Sequence, residues 1–304
     1  MKKIVVVGSG FGGLSIASKL KAKKFDVTLI EKHKDLGGRA RTFVHNGFKY
    51  DAGPTVITAP YLIDELFSAH GEKLSDYVNL LPVKPWYRFL FDSGDYIDYG
   101  DKLIFTVHEI KAKYGNDKAQ AYLKLLKHSK QIFKKGFIEL SDEPFESILS
   151  MLKHLPALIK IRFDRSVYQT VNKYLNNKNL NEALSMHPLL VGGNPYSTTS
   201  IYLLIQYLEW KWGVYYAEGG TGRIIDGLEK LLIKKDVNIK KNTEAKKIIL
   251  KNNKVVGIDT SQGIIDCDIV VCNSDPTYTY NNLLGLSLIH ISEPTRQEAI
   301  SYAV

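Results

Sequence analysis

The chain has 304 residues, 44% of them hydrophobic, which is enough for one large domain or two ordinary domains with a sizeable core. Its net charge of +9 comes from scattered lysines, so a solvated basic face is favoured over an anionic membrane partner, and a nucleic-acid partner ranks last. No apolar run approaches the about 20 residues of a membrane-spanning helix, and the first run, residues 4–7, is too short for a secretory signal. We therefore expect a chain that does not cross a membrane, although it can still lie on one.

The N-terminal residues have the pattern of a strand–helix–strand unit. Residues 4–7 are a continuous β-branched run, as expected of a strand buried on both faces of a parallel sheet. Apolar residues at Leu14, Ala17 and Leu20 predict a helix, and residues 26–30 predict a second buried strand. The unit is therefore expected to begin a Rossmann-like α/β domain.

The loop between the first strand and the helix is Gly8-Ser9-Gly10-Phe11-Gly12-Gly13, the spacing of a dinucleotide-binding fingerprint. Gly8 permits a tight turn, Gly10 lets the backbone approach a pyrophosphate, and Gly13 lets the helix pack close to the sheet. Free N–H groups at the positive helix end then hold the phosphates. The second strand ends in Glu31, whose carboxylate is placed to accept hydrogen bonds from ribose hydroxyls and to repel a 2′-phosphate, which disfavours NADP.

The rest of the chain alternates between helical and strand patterns. Asn46-Gly47 predicts a hairpin turn between short strands at 42–45 and 48–50. The predicted elements that follow are a helix at 60–69, strands at 87–91 and 96–99, mostly helices over 107–208, a helix at 221–235, and strands at 237–239, 245–250, 255–259 and 268–272. We therefore expect a discontinuous α/β domain over 1–85 and 213–284, interrupted by a mainly helical region over 86–212.

A second glycine pair favours FAD over NAD. After Glu31 the chain continues to Gly37-Gly38-Arg39, which is not part of an ordinary NAD domain. This segment resembles the loop of a flavoprotein family that includes amine oxidases and carotenoid desaturases. The resemblance implies that the Arg39 guanidinium lies near the FAD pyrophosphate, a task that suits a group that is always charged and bidentate.

Further segments narrow the resemblance to phytoene desaturases of the bacterial and fungal type. The segments that carry it run in order from the N-terminus to about residue 284: Gly47-Phe48-Lys49-Tyr50-Asp51-Ala52-Gly53-Pro54-Thr55-Val56-Ile57-Thr58, Leu189-Leu190-Val191-Gly192-Gly193-Asn194-Pro195-Tyr196-Ser197-Thr198-Thr199-Ser200-Ile201-Tyr202, Glu209-Trp210-Lys211-Trp212-Gly213-Val214-Tyr215-Tyr216, Gly219-Gly220-Thr221-Gly222, Asn242-Thr243-Glu244-Ala245 and Ser274-Asp275-Pro276-Thr277-Tyr278. Ala245 stands where the family usually has a valine that contacts adenine through its main chain, so this difference should matter little.

The resemblance implies a fold, a cofactor, a substrate and a set of binding residues. The α/β domain binds FAD, and the helical region faces a membrane and receives phytoene, a long apolar polyene precursor that is desaturated toward lycopene. FAD takes the hydride and is reoxidised by oxygen or quinone. The residues expected to bind FAD are Gly8, Gly10, Gly12, Gly13, Glu31, Lys32, Gly38, Arg39, Gly53, Pro54, Thr55 and Ala245. No metal site is expected.

The sequence names no catalytic residue. The eight histidines are dispersed, and no Ser/His/Asp triad is evident. Arg165, Glu209 and Asp51 are candidates by residue type only, and a structural role is favoured for each. The redox step is therefore expected to belong to FAD, while the protein positions the substrate.

Residues 148–162 are apolar and basic and are interrupted by Pro156. An interfacial helix pair on anionic lipid has this pattern, and so does an ordinary core helix with lysines at its edge. Because phytoene dissolves in lipid, we expect a cytoplasmic protein that binds peripherally to the inner face of the membrane. No nucleic-acid partner is expected, and the oligomeric state is left open.

The C-terminal end departs from the resemblance. Family members continue into a Gly-rich segment that closes over FAD, so we expect the chain to be truncated, and residues 287–304 resemble the translation of a sequencing adapter. Four alternatives remain open: a desaturase of a C30 precursor, a carotenoid isomerase of the same fold, a flavin amine oxidase, and an inactive fragment that cannot hold FAD tightly.

Overall fold

The structure, a computed structural model, describes residues 1–53, 55–139, 156, 159 and 161–285. The chain forms two compact units: the first contains Met1–Leu81 and the chain from Tyr216 onward, and the second contains Pro82–Tyr215. The domain boundaries expected from the sequence, 85/86 and 212/213, fall a few residues inside the limits of the second unit. The expected tail, 287–304, and most of the expected interfacial segment, 148–162, lie outside the described residues.

A four-stranded parallel sheet forms the centre of the first unit. Its strands, in spatial order, are β13 (Ile269–Cys272), β1 (Lys3–Val7), β2 (Asp26–Ile30) and β9 (Asn238–Lys240). Ile4, Val5 and Val6 are at most 2% exposed, because both faces of β1 are covered, as the continuous β-branched run predicts. Helix α1 (Phe11–Ala22) joins β1 to β2, so the predicted strand–helix–strand unit is confirmed.

Two helices and a second sheet surround the parallel sheet. They are α2 (Pro60–Ser68), α8 (Gly222–Lys234) and the antiparallel strands β10 (Ala245–Lys251), β11 (Lys254–Thr260) and β12 (Gly263–Asp266). Both helices contact α1. Ile248 and Ile258 of the second sheet share one buried cluster with Val5 and Ile30 of the parallel sheet, so the two sheets pack face to face. The sequence did not predict β12, a four-residue strand whose residues are mostly exposed.

A β-hairpin follows the second glycine pair. Strands β3 (Thr42–His45) and β4 (Phe48–Asp51) pair around Asn46 and Gly47, whose φ angles of 49° and 81° are the left-handed values that the predicted turn needs. The register places Thr42 opposite Asp51 at the open end of the hairpin. Asp51 therefore lies at the base of the hairpin, opposite the first residue of β3.

The second unit is mainly helical, in agreement with the helical spacing over 107–208. Its elements are β6 (Tyr87–Leu90), β7 (Tyr96–Tyr99), α3 (Leu103–Tyr114), α4 (Asn116–Phe133), α5 (Val167–Leu175), α6 (Lys178–Leu184) and α7 (Leu204–Trp212). The buried face of α4 contains Leu125, whereas Leu123 is only half-buried.

Two short strands pair where the chain leaves and re-enters the first unit. They are β5 (Leu80–Pro82) and β8 (Tyr215–Ala217), and the sequence predicted neither, because three residues carry too little periodicity. Within the described residues, no helix combines the length and the apolar character needed to span a bilayer.

Candidate functional site

The glycine loop, residues 8–13, joins β1 to α1 and forms a backbone cradle. Gly8 has a φ of 91°, the left-handed conformation that its tight turn requires, and a Cβ on Gly13 would overlap the carbonyl oxygen of Gly8. Gly10 is the N-cap of α1, and it offers no side chain to cap the helix. The first N–H groups of α1 are therefore left for an anionic ligand.

Asn273 completes the cradle, although the sequence pattern did not predict its role. Its backbone N–H donates to the carbonyl oxygen of Val7 (2.8 Å), which extends the pairing of β13 with β1 by one residue. Its carboxamide lies against the cradle: a Cβ on Gly12 would overlap Oδ1, and a Cβ on Gly10 would lie 2.9 Å from Nδ2. The available signal was a polar residue directly after the last predicted strand of the sheet, since ligand sites of parallel sheets occur at the carboxyl ends of their strands.

Glu31 lies at the carboxyl end of β2 and is 6% exposed. Its Oε2 accepts hydrogen bonds from Ser9 N–H (3.0 Å) and Ser9 Oγ (2.6 Å), and its Oε1 accepts one from His33 N–H (3.0 Å). Burial is the largest influence on the Glu31 pKa and raises it, but these hydrogen bonds outweigh burial, so the pKa lies below its usual value. Because a carboxylate has about four acceptor positions, roughly one is left for a ribose hydroxyl.

The second glycine pair packs directly on the cradle. Gly37 N–H donates to the carbonyl oxygen of Ser9 (2.9 Å), and a Cβ on Gly38 would lie 3.2 Å from the Cα of Gly10. Arg39 follows in a 3₁₀ turn and is exposed. Among the described residues its guanidinium makes no hydrogen bond or ion pair, so it is available to an anion beside the cradle.

Gly53 is placed against the turn that carries Arg39. A Cβ on Gly53 would overlap the carbonyl oxygen of Arg39, so the chain after β4 passes close to that turn. Pro54 lies outside the described residues, and Thr55 is exposed. Of the described residues expected to bind FAD in this segment, Gly53 therefore lies against another predicted site residue, Arg39.

Lys32 and Ala245 flank Glu31 in different ways. Lys32 follows Glu31 in the chain and is exposed. Ala245 is buried at the start of β10, opposite Thr260, and its segment is held at the end of β2 by a hydrogen bond from Thr243 N–H to the carbonyl oxygen of Glu31 (2.8 Å). This hydrogen bond thus holds the start of β10 close to Glu31.

The residues present fit FAD. The cradle offers backbone N–H groups with no Cβ in the way, Arg39 supplies a cation without a protein partner in the described part of the chain, and Glu31 retains acceptor capacity. These are the groups that a dinucleotide with a pyrophosphate and a ribose requires. Across the same described residues, no cluster of His, Cys, Asp and Glu side chains could hold a metal ion.

Glu209, a candidate by residue type, is a fully buried carboxylate of the second unit. It accepts hydrogen bonds from the half-buried Tyr87 hydroxyl (2.8 Å) and from Nε2 of the buried His187 (3.0 Å). Burial, and then the nearby Glu209 carboxylate, raises the pKa of Tyr87. Removing one partner of such a buried set strongly destabilises a fold, which favours a structural role.

The other two candidates also have structural partners. Asp51 accepts hydrogen bonds from Thr42 Oγ1 (2.9 Å) and Thr221 N–H (3.0 Å). Arg165 is half-buried, and its carbonyl oxygen accepts a hydrogen bond from Ser200 N–H (2.8 Å). The contacts of these residues therefore do not single out a catalytic base.

A family model described as flavin containing amine oxidoreductase matches residues 11–301. Curated proteins that match include the lycopene-forming phytoene desaturases of Pseudescherichia vulneris, 40% identical over 286 residues, and Pantoea ananas, 39% identical over 286 residues. Each alignment covers 94% of this chain and 58% of the relative, so the chain spans less than two thirds of the length of these relatives. The resemblance predicted from the motifs and the flavin cofactor are thereby confirmed.

Solved structures support the fold. The PF1083 protein of Pyrococcus furiosus superposes with a TM-score of 0.64 at 17% identity, covering 98% of this chain and 65% of that chain. A putrescine oxidase bound to putrescine superposes with a TM-score of 0.60 at 12% identity, covering 93% of this chain and 60% of that chain. Together with the parallel sheet and the family match, these neighbours confirm the Rossmann-like FAD-binding fold.

We expect Gly13→Ala to destabilise the first unit by about 1–3 kcal/mol, because the new Cβ meets the backbone carbonyl of Gly8, which cannot move aside as a flexible side chain can. Urea unfolding of the whole chain measures the loss. The matched control is Gly136→Ala, where the nearest atom lies 3.6 Å from the new Cβ. Equal unfolding midpoints for the two variants would contradict the close approach.

We expect the stability contributed by Glu31 to depend on pH. Since its pKa is lowered in the folded chain, the contribution is complete above the unfolded value near 4.5 and is lost as the pH falls through the lower folded value. Glu31→Gln should therefore be less stable than the parent at neutral pH, and the difference should shrink in acid. Urea unfolding midpoints at neutral and at acidic pH test this, with Glu244→Gln at an exposed position as the control. A stability difference between parent and Glu31→Gln that does not depend on pH would refute it.

Proposed function

We propose that this chain, which belongs to the flavin-containing amine oxidoreductase family, is part of an FAD-dependent carotenoid desaturase that introduces double bonds into phytoene toward lycopene. The observation that carries the proposal is the 40% identity to a lycopene-forming phytoene desaturase over 94% of this chain. That alignment extends far beyond the cradle, so it supports the substrate class as well as the cofactor.

The cofactor would be held by the residues that the sequence singled out. Gly8, Gly10, Gly12 and Gly13 would leave the N–H groups of α1 to the pyrophosphate, and Arg39 would add a bidentate cation beside them. Gly38 would keep the Arg39 turn against the cradle. Asn273 extends the earlier set, since its carboxamide borders the same backbone.

The two ends of the cofactor would meet different residues. Glu31 would accept a hydrogen bond from the adenosine ribose, with Lys32 and the main chain of Ala245 at the adenine end. At the other end, Gly53, Pro54 and Thr55 would leave room for the flavin ring. When bound, FAD supplies the chemistry by taking the hydrogens removed from the polyene, and oxygen or quinone would regenerate it.

The substrate would be a long apolar polyene taken from a membrane surface. Leu189, Leu190 and Val191 lie in one of the family-typical segments, and each keeps at least 41% of its surface exposed. An apolar surface of this kind suits an apolar ligand or a lipid surface. On this basis we propose that the protein binds peripherally at the inner face of the membrane. That the segment 148–162 also contacts the membrane remains a prediction.

Phytoene is favoured over other carotenoid substrates. A 4,4′-diapolycopene oxygenase of Methylomonas sp. and a 1-hydroxycarotenoid 3,4-desaturase of Flavobacterium also match, at 28% and 33% identity, below the 40% of the lycopene-forming desaturase. A C30 substrate, an isomerase activity and an inactive fragment are the outcomes against which the proposal is tested.

The gene for the complete protein should convert phytoene to a product with lycopene absorbance when expressed in a host that accumulates phytoene. Gly10→Val should abolish the product, because its side chain would occupy the phosphate cradle. Chromatography with visible spectra separates the alternatives: product only in a host that makes the C30 precursor would indicate a C30 desaturase, and altered geometry without added conjugation an isomerase. Unchanged phytoene would sink the proposal.

A further inference from the structure

The carboxylate of Asp51 joins the hairpin β3–β4 to helix α8. It accepts one hydrogen bond from Thr42 Oγ1 (2.9 Å) within the hairpin and one from Thr221 N–H (3.0 Å) at the start of α8. The two partners lie nine and 170 residues away in the chain. Asp51 therefore connects two elements that the chain itself does not place together.

Glycines at the start of α8 make this junction close. A Cβ on Gly220 would lie 2.8 Å from both Asp51 carboxylate oxygens, and a Cβ on Gly222 would overlap the Thr42 hydroxyl. Thr221 is the N-cap residue of α8, and its backbone N–H donates to Asp51. The Asp51 carboxylate therefore supplies a negative group to this helix N-terminus from another element, as the helix dipole favours.

Away from Asp51, the hairpin and α8 separate. Val44 and Lys49 of the hairpin and Arg223 and Asp226 of α8 line a cleft of about 220 Å³. The Arg223–Asp226 pair in it joins two residues of α8 to each other (3.6 Å) and not to the hairpin. The junction at Asp51 is thus where the base of the hairpin is held to the helix.

The junction closes a ring of contacts that contains the cradle. Gly37 donates to Ser9 of the cradle, and a Cβ on Gly53 would overlap the Arg39 carbonyl oxygen. On the far side, a Cβ on Gly37 would lie 3.0 Å from Cγ1 of Ile225, which belongs to α8. We call this arrangement the cradle ring: the cradle, the Gly37–Arg39 turn, the hairpin base and the start of α8.

We propose that Asp51 is a positioning residue for the cofactor, because it locks the cradle ring. It would hold Gly53 and the Arg39 turn at their places beside the cradle, and it would make cofactor binding and order at the start of α8 depend on each other. This inference rests on the proposed cofactor site. It assigns Asp51 no contact with the reacting atoms.

The test uses the full chain and FAD as the probe. Asp51→Ala should weaken FAD binding about tenfold, on the order of one charge-assisted hydrogen bond, in a titration followed by flavin fluorescence. Asp51→Asn should restore most of the affinity, because its amide can still accept from Thr221 N–H and bond to Thr42. The control is Asp226→Ala, which removes an exposed carboxylate of the same helix and should bind FAD as the parent does.

A second readout separates positioning from general stability. FAD should slow amide exchange of residues 221–225 in the parent and in Asp226→Ala, but not in Asp51→Ala, and the absorbance spectrum of bound flavin should change in Asp51→Ala alone. If Asp51→Ala does not fold, Thr42→Val removes one hydrogen bond at nearly constant shape and should show the same effects in weaker form. The positioning role alone would be overturned if the Asp51 or Thr42 variants kept the FAD affinity, the flavin spectrum and the FAD-dependent protection of the parent. If the parent chain binds no FAD, the proposed cofactor site would be overturned together with the positioning role.

Discussion

The parallel pairing of β1 between β2 and β13 is the constraint on which the rest of the site depends. Because the three strands run in one direction, the residues that follow them, Gly8, Glu31 and Asn273, meet at one edge of the sheet. Hydrogen bonds from Gly8 N–H to Ile30 and from Asn273 N–H to Val7 continue the pairing beyond the strand ends. The register of the sheet, more than the loops themselves, therefore places the cradle and the polar side chains beside it.

The glycines of the proposed cofactor site also allow close packing within the protein itself. Gly12 faces the Asn273 carboxamide, Gly38 packs on Gly10, and Gly53 packs on the Arg39 turn. A Cβ at these positions meets protein atoms even without a ligand. The glycine pattern that predicts dinucleotide binding therefore also reflects how closely the neighbouring segments pack against the glycine loop, residues 8–13.

Two buried carboxylates, Glu31 and Glu209, are stabilised by different sets of hydrogen-bond donors. Glu31 accepts hydrogen bonds from backbone N–H groups and one hydroxyl, and it keeps acceptor capacity at the carboxyl end of the parallel sheet. Glu209 is enclosed by Tyr87 and His187 within the second unit. The same residue type therefore suits a ligand in one place and a structural network in the other, which residue type alone could not distinguish.

The sequence by itself determined the elements that depend on near neighbours: the strands at 4–7 and 26–30, the turn at Asn46-Gly47, the helix after the cradle, and the family motifs that identify a flavoprotein. It missed β5, β8 and β12, which carry too few patterned residues to be recognised before they pair. Only the tertiary structure decided that Ser9 engages Glu31, that Asn273 covers Gly12 and that Asp51 reaches Thr221. The physical reason is that these partners are far apart in the chain, so sheet register and helix packing, and not local preference, bring them within hydrogen-bonding distance or contact.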